Sequence, residues 1–255
     1  MPAIDWKIVG VSIAGFSHLA EGTPCQDFHQ VSTTETGWLV GAVSDGAGSA
    51  LRSAEGAKAI CQGIVSHVVC QINSHSAPHE NEARQWIFDA VERVRSELSQ
   101  LSEATTLSDF HATLVGVIAG PKGGYFFHIG DGAACATHIA DLSRSILSLP
   151  ENGEYANETY FFTQPHWDQH LRLTPIDEDC DLIFLMSDGV TPFALAPRST
   201  GPYAPFFEPL SRYLATRSRE EGEEALSATL QKDALRRVTG DDKTLLWALR
   251  CAANA

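Results

Sequence analysis

The chain has 255 residues, 44% apolar and 20% charged, with a formal net charge of −14 at pH 7. So acidic a composition argues against a nucleic-acid partner, because a phosphate backbone is drawn to basic faces. No window approaches the roughly 20 apolar residues of a membrane helix, and the start MPAIDWKIVGVSIAG lacks the basic-then-apolar layout of a secretory signal.

Residues 7–13 (KIVGVSI) are rich in β-branched side chains and read as a first strand. Residues 16–27 carry Gly, Pro and Ser and read as a loop ending in Asp27. Two short strands follow at 28–33 and 38–44. From 53 to 72, Ala54, Ala57, Ile60, Ile64 and Val68 recur at helical spacing. A second helix over 83–101 repeats the pattern with Ile87, Val91, Val94, Leu98 and Leu101. The period then falls to that of strands. Residues 112–119 and 125–129 are joined by Pro121-Lys122-Gly123-Gly124, a hairpin signal. Further strands are expected at 133–139, 145–149, 159–163 and 182–186. Residues 192–209, rich in proline and aromatics, read as irregular. Residues 210–235 read as helical, with Glu220, Glu221, Glu223 and Glu224 on a solvated face. Residues 244–249 (TLLWAL) form a closing strand.

This order is strands, two long helices, strands, then helices, and not a βαβ alternation. It predicts an α+β fold with helices packed outside largely antiparallel sheets. No low-complexity linker or repeat divides the chain. One domain over 1–255 is therefore expected, with a flap or insertion at about 190–235. The six cysteines form no CxxC pair, which gives no support to a zinc finger or redox motif. Reduced thiols, a cytoplasmic monomer and no membrane partner are the corresponding expectations.

Three times an apolar strand runs into a small residue and then Asp-Gly: Ser44-Asp45-Gly46, Gly130-Asp131-Gly132 and Ser187-Asp188-Gly189. A single Asp-Gly is more often a turn than a site. Here each aspartate stands at the border of a core, where charge is costly unless paired or metal-bound. Basic residues are scarce, 18 Lys plus Arg against 32 Asp plus Glu. Carboxylates that converge without cations repel one another, and a divalent metal is the natural compensation. Oxygen ligands suit Mg²⁺, Mn²⁺ or Ca²⁺, whereas zinc prefers His and Cys. Asp27, and Asp241-Asp242 in TGDDKTLLW, complete the candidate set. Other patterns are weaker. His166, Asp168 and His170 come without HExxH or CxxC, and GAGSA lacks the further glycine of a dinucleotide loop.

Asp27 in GTPCQD, Asp45-Gly46 in VSDGAGS, Asp131 in HIGDG, Asp188 in LMSDGV and Asp241 in GDDKT follow one another in a telling order. In that order and context the chain resembles the protein phosphatase 2C family of metal-dependent Ser/Thr phosphatases, in its divergent bacterial branch. The resemblance implies a four-layer α/β/β/α sandwich of two mostly antiparallel sheets flanked by helices. It implies two Mn²⁺ or Mg²⁺ ions, with Asp45 between them and the Gly46 carbonyl on the second. Asp188 and Asp241 would complete the first ion's shell, Asp27 would lie beside the second, and Asp131 would share a third with Asp188. The implied catalytic residues are Asp45 and Asp188, and a hydroxide bridging the ions would attack phosphorylated Ser/Thr proteins in line. Two family features are absent: Gly22 stands where many members have arginine, and Ala47 where many have histidine. His18 and Arg52 are the substitutes expected at the substrate phosphate, His18 also as a catalytic residue. These departures keep a second reading open, a phosphatase-fold binding module without turnover.

Overall fold

The structure, a computed structural model, describes residues 4–74, 78–101, 104–150 and 159–252. The chain opens with strand β1 (Ile4–Ile13), helix α1 (Phe16–Glu21) and strands β2 (Phe28–Thr33) and β3 (Leu39–Ser44). Helices α2 (Ser53–Ser74) and α3 (Glu80–Ser99) follow, then strands β4 (Leu114–Gly120), β5 (Gly123–Ile129), β6 (Ala133–His138) and β7 (Asp141–Ser148). After these come β8 (Arg172–Ile176), β9 (Leu182–Met186), α4 (Thr191–Ala194), α5 (Ala204–Leu214), α6 (Arg219–Leu230), α7 (Asp233–Arg236) and β10 (Lys243–Ala252).

The strands form two five-stranded sheets, ordered β1-β10-β9-β6-β7 and β2-β3-β4-β5-β8. Every pairing in them is antiparallel. Both faces of the central strands are buried, which explains their unbroken apolar runs. In β9, Ile183 and Leu185 face the other sheet while Leu182, Phe184 and Met186 face helices. Between the sheets lie Leu39, Val43, Val115, Val117, Phe126, Leu185 and Leu246. Helices α2 and α3 cover the second sheet through Ile60, Ile64, Ile87 and Val91. Helices α5 and α6 cover the first, where Phe207, Leu214 and Leu226 join Phe184 and Trp247. The result is the expected four-layer α/β/β/α sandwich.

Leu246 shows how tight the middle layer is. It is 1% exposed, and it fills the space a Cβ would take on Gly10 and Gly41, at 2.8 Å and 2.9 Å from its methyl carbons. Leu246→Ala is expected to destabilise the fold by about 2–5 kcal/mol, the cost of a buried cavity. A urea midpoint that falls at unchanged m-value would report it.

Several local expectations are corrected. Residues 16–27 hold a helix, α1, and are not all loop. It is six residues long, and Gly22, at φ 72°, ends it by a left-handed turn. Residues 159–163 form turn and coil and not a strand. Strand β8 was not expected, because it is short and contains Pro175, which is tolerated at a sheet edge. Residues 192–209 are not irregular throughout, since α5 begins within them. Pro205 lies in its first turn, where no backbone N–H is needed.

Candidate metal centre

Strand register brings the aspartates to one end of the sandwich. In the second sheet, Phe28 pairs with Ser44, Val43 with Val115, and Leu114 with Ile129. The start of β2, the end of β3 and the end of β5 are therefore neighbours. In the first sheet, Met186 pairs with both Leu245 and Ala133, and Lys243 with Ile13. Asp27, Asp45, Asp131, Asp188 and Asp241 each stand just outside one of these strand ends.

They meet at a cavity of about 270 Å³ lined by His18, Gln26, Asp45, Gly46, Thr113, Asp131, Asp188 and Asp241, with Ala47, Gly48, Thr159 and Phe161 at its walls. Asp27 lies behind it, 5% exposed. Its Oδ2 accepts the Ser187 hydroxyl at 2.7 Å. Thr113 fixes the loop at Asp45: its hydroxyl accepts the Asp45 N–H at 3.0 Å, and its own N–H donates to the Asp45 carbonyl at 2.9 Å. Glycine is required beside two of the acids. A Cβ on Gly46 would lie 2.8 Å from the Gln26 carbonyl oxygen, and one on Gly189 only 1.8 Å from that of Asp242.

Electrostatics are one-sided. Among the described residues no lysine or arginine lines the cavity. The nearby Lys243 is 2% exposed, and its Nζ donates to the Asp241 carbonyl at 2.8 Å, bracing that loop. Burial pushes Asp27 up to about 7, and the charges of Asp242 and Asp188 add to this against the Ser187 hydrogen bond. Burial also raises Asp45 well above the carboxylate range, followed by the charges of Asp27 and Asp188. Asp188 is raised too, chiefly by burial, and it shares a hydrogen bond with Asp45. At and behind the cavity, the buried oxygens Gln26 Oε1, Asp27 Oδ1, Asp131 Oδ1 and Asp188 Oδ1 have no hydrogen-bond partner among the described residues. Unpartnered buried acceptors are costly, and oxygen acceptors beside crowded carboxylates are the chemistry that suits a hard cation.

The sequence-derived residues separate clearly. Asp45, Gly46, Asp131, Asp188, Asp241 and His18 line one cavity, with Asp27 behind it. Arg52 does not line it. Its guanidinium donates twice to Glu55, at 2.8 and 2.5 Å, and lies over the Phe110 ring. Among the described residues, none of 190–235 lines the cavity, whose lining passes from Asp188 to Asp241. Asp241 and Asp242, neighbours in sequence, part in geometry. Asp241 faces the cavity, whereas both carboxylate oxygens of Asp242 are taken by protein donors. His166, Asp168 and His170 do not gather, and His170 stacks on Tyr160 at 3.5 Å. Gln26 was missed, although its place beside Asp27 was a usable signal.

A sequence model of the family described as protein phosphatase 2C matches residues 14–231. Serine/threonine-protein phosphatase 3 of Escherichia coli (strain K12) is 30% identical over 260 residues, spanning 96% of this chain and 99% of that protein. Among solved structures, a bacterial serine phosphatase superposes with a TM-score of 0.64 at 12% identity, covering 98% of this chain and 100% of the other. Serine/threonine phosphatase Stp1 from Staphylococcus aureus gives 0.59 at 12% identity, over 98% and 95%. At these identities the structural matches speak for the fold alone.

Proposed function

The chain belongs to the protein phosphatase 2C family, and from that membership we infer that it is a metal-dependent serine/threonine protein phosphatase, a hydrolase of phosphomonoesters on proteins. We further propose that Mn²⁺ or Mg²⁺ occupies the carboxylate cavity. The observation that carries this is the group of buried, unpartnered oxygens on Gln26, Asp27, Asp131 and Asp188. An all-oxygen set fits these ions and not zinc. Asp45, the Gly46 carbonyl, Asp188 and Asp241 would hold two ions, with Asp27 beside them and a third between Asp131 and Asp188. Such ions, when bound, lower the pKa of water and offset charge on phosphoryl oxygens. The chain's own part is to place them. Thr113 fixes Asp45, Ser187 fixes Asp27, and His18 offers an imidazole to the substrate. The shared core between the sheets supports one catalytic domain. Cys25, Cys61, Cys135, Cys180 and Cys251 are free thiols, which supports a reducing compartment such as the cytoplasm.

The test is hydrolysis of a phosphoserine or phosphothreonine peptide and of p-nitrophenyl phosphate. Turnover is expected with Mn²⁺ or Mg²⁺, loss with EDTA, and recovery with excess metal. A well-folded chain inert on both substrates would instead support a binding module.

A further inference from the structure

We propose that His18 and Asp242 form a proton-delivering dyad: His18 Nε2 protonates the departing serine or threonine oxygen, and Asp242 holds the ring. This rests on the phosphatase reading above.

Asp242 is buried, at 2% exposed. Its Oδ1 accepts the Gly15 N–H at 2.7 Å and His18 Nδ1 at 2.8 Å. Its Oδ2 accepts the Gln26 N–H at 2.6 Å. Three protein donors occupy this carboxylate, so it is a positioning residue and not an ion ligand. It ties both ends of the segment from Gly15 to Gln26 to the loop before β10. His18 stands on α1 within that segment and lines the cavity. With Nδ1 engaged, Nε2 is the ring nitrogen left to face the substrate. A carboxylate on Nδ1 fixes ring orientation and stabilises the charged ring, as it does for other general acid–base histidines.

The chemistry needs such a group. A seryl or threonyl alkoxide is a strong base and leaves poorly without a proton. The attacking water's oxygen bonds to phosphorus as the ester P–O bond breaks. The electron pair of that bond stays on the side-chain oxygen, which takes the Nε2 proton and departs as an alcohol. The water's own proton goes to solvent, and the neutral imidazole is reprotonated from solvent. Among the described cavity residues nothing else fits. Gln26, Thr113, Thr159 and Phe161 have no proton to give at neutral pH, and the aspartates are assigned to ions. His111 does not line the cavity: its Nδ1 meets the Thr163 hydroxyl at 2.6 Å and its ring stacks on Phe161.

The test compares leaving groups. For His18→Gln in the full chain with Mn²⁺, kcat on a phosphoserine peptide is expected to fall ~100-fold or more. On p-nitrophenyl phosphate, whose nitrophenolate leaves unaided, kcat is expected to stay within about threefold. Asp242→Asn is expected to give the same selective loss, but smaller. A second readout needs neither metal nor turnover. The metal-free chain should show a slowly exchanging Nδ1–H proton by NMR, absent in His18→Gln and in Asp242→Asn. Equal losses on both substrates, or a rise in KM at unchanged kcat, would overturn the dyad and make His18 a phosphate grip. A native chain with no Mn²⁺-dependent turnover on either substrate overturns the phosphatase reading, and the catalytic dyad with it.

Discussion

Asp45→Asn is expected to lower phosphatase activity by at least about 10³-fold while making the metal-free chain more stable. The two signs come from one cause. Asp45 lies at the centre of the acids, and burial together with the charges of Asp27 and Asp188 holds its carboxyl well above the usual range. Asparagine keeps the shape and removes the charge. In the metal-free chain that relieves repulsion among groups that have no lysine or arginine beside them among the described cavity residues. In the metal-bound chain it removes a ligand from between the ions. Thermal melts with EDTA should therefore rise for the variant. The melting shift that Mn²⁺ gives the native chain should shrink or vanish in the variant. Lower stability of Asp45→Asn in EDTA would mean that local hydrogen bonding, and not repulsion, dominates at this position.

Much of this site could be read from sequence because each acid follows or precedes a strand whose apolar run is unmistakable. The end of LVGAVS points to Asp45 and the end of LIFLM to Asp188. Register then does the rest, since antiparallel pairing sets those ends side by side. What could not be read lies in contacts between residues far apart in sequence. Asp242 meets Gly15 across 227 positions and Gln26 across 216, and no local pattern announces either. The helix α1 was hidden for a related reason. Six residues between Gly15 and Gly22 carry no side-chain N-cap and no acidic first turn. Tertiary bonds to Asp242 hold the chain beside it in place. Arg52 stands apart from the cavity. Glu55 and Phe110 claim its guanidinium locally. The absence of arginine at Gly22 also has a structural reason, for φ 72° at that position favours glycine.

Metal and pH should act on stability together. In the metal-free chain the carboxyl of Asp27 is raised to about 7, and those of Asp45 and Asp188 are raised as well, burial being the first cause in each. The folded state therefore binds protons more tightly than the unfolded state does. For a raised pKa, the stabilising contribution is complete below the unfolded carboxylate value, near 4, and is lost as pH climbs through the folded one. Stability in EDTA should thus fall between about pH 4 and pH 7, the reverse of the trend for salt-bridged carboxylates. A divalent cation replaces those protons, so its benefit should be larger at pH 7.5 than at pH 5. At a free concentration 100 times its Kd, a bound ion contributes about 2.7 kcal/mol. In a chain of this size that corresponds to a Tm rise of about 5–10 °C. Calorimetry of Mn²⁺ binding near pH 6 should register proton release, seen as a heat that varies with the buffer's ionisation enthalpy. A metal-induced stabilisation that is the same at both pH values, with no proton release, would show that the acids are already ionised and paired in the metal-free chain.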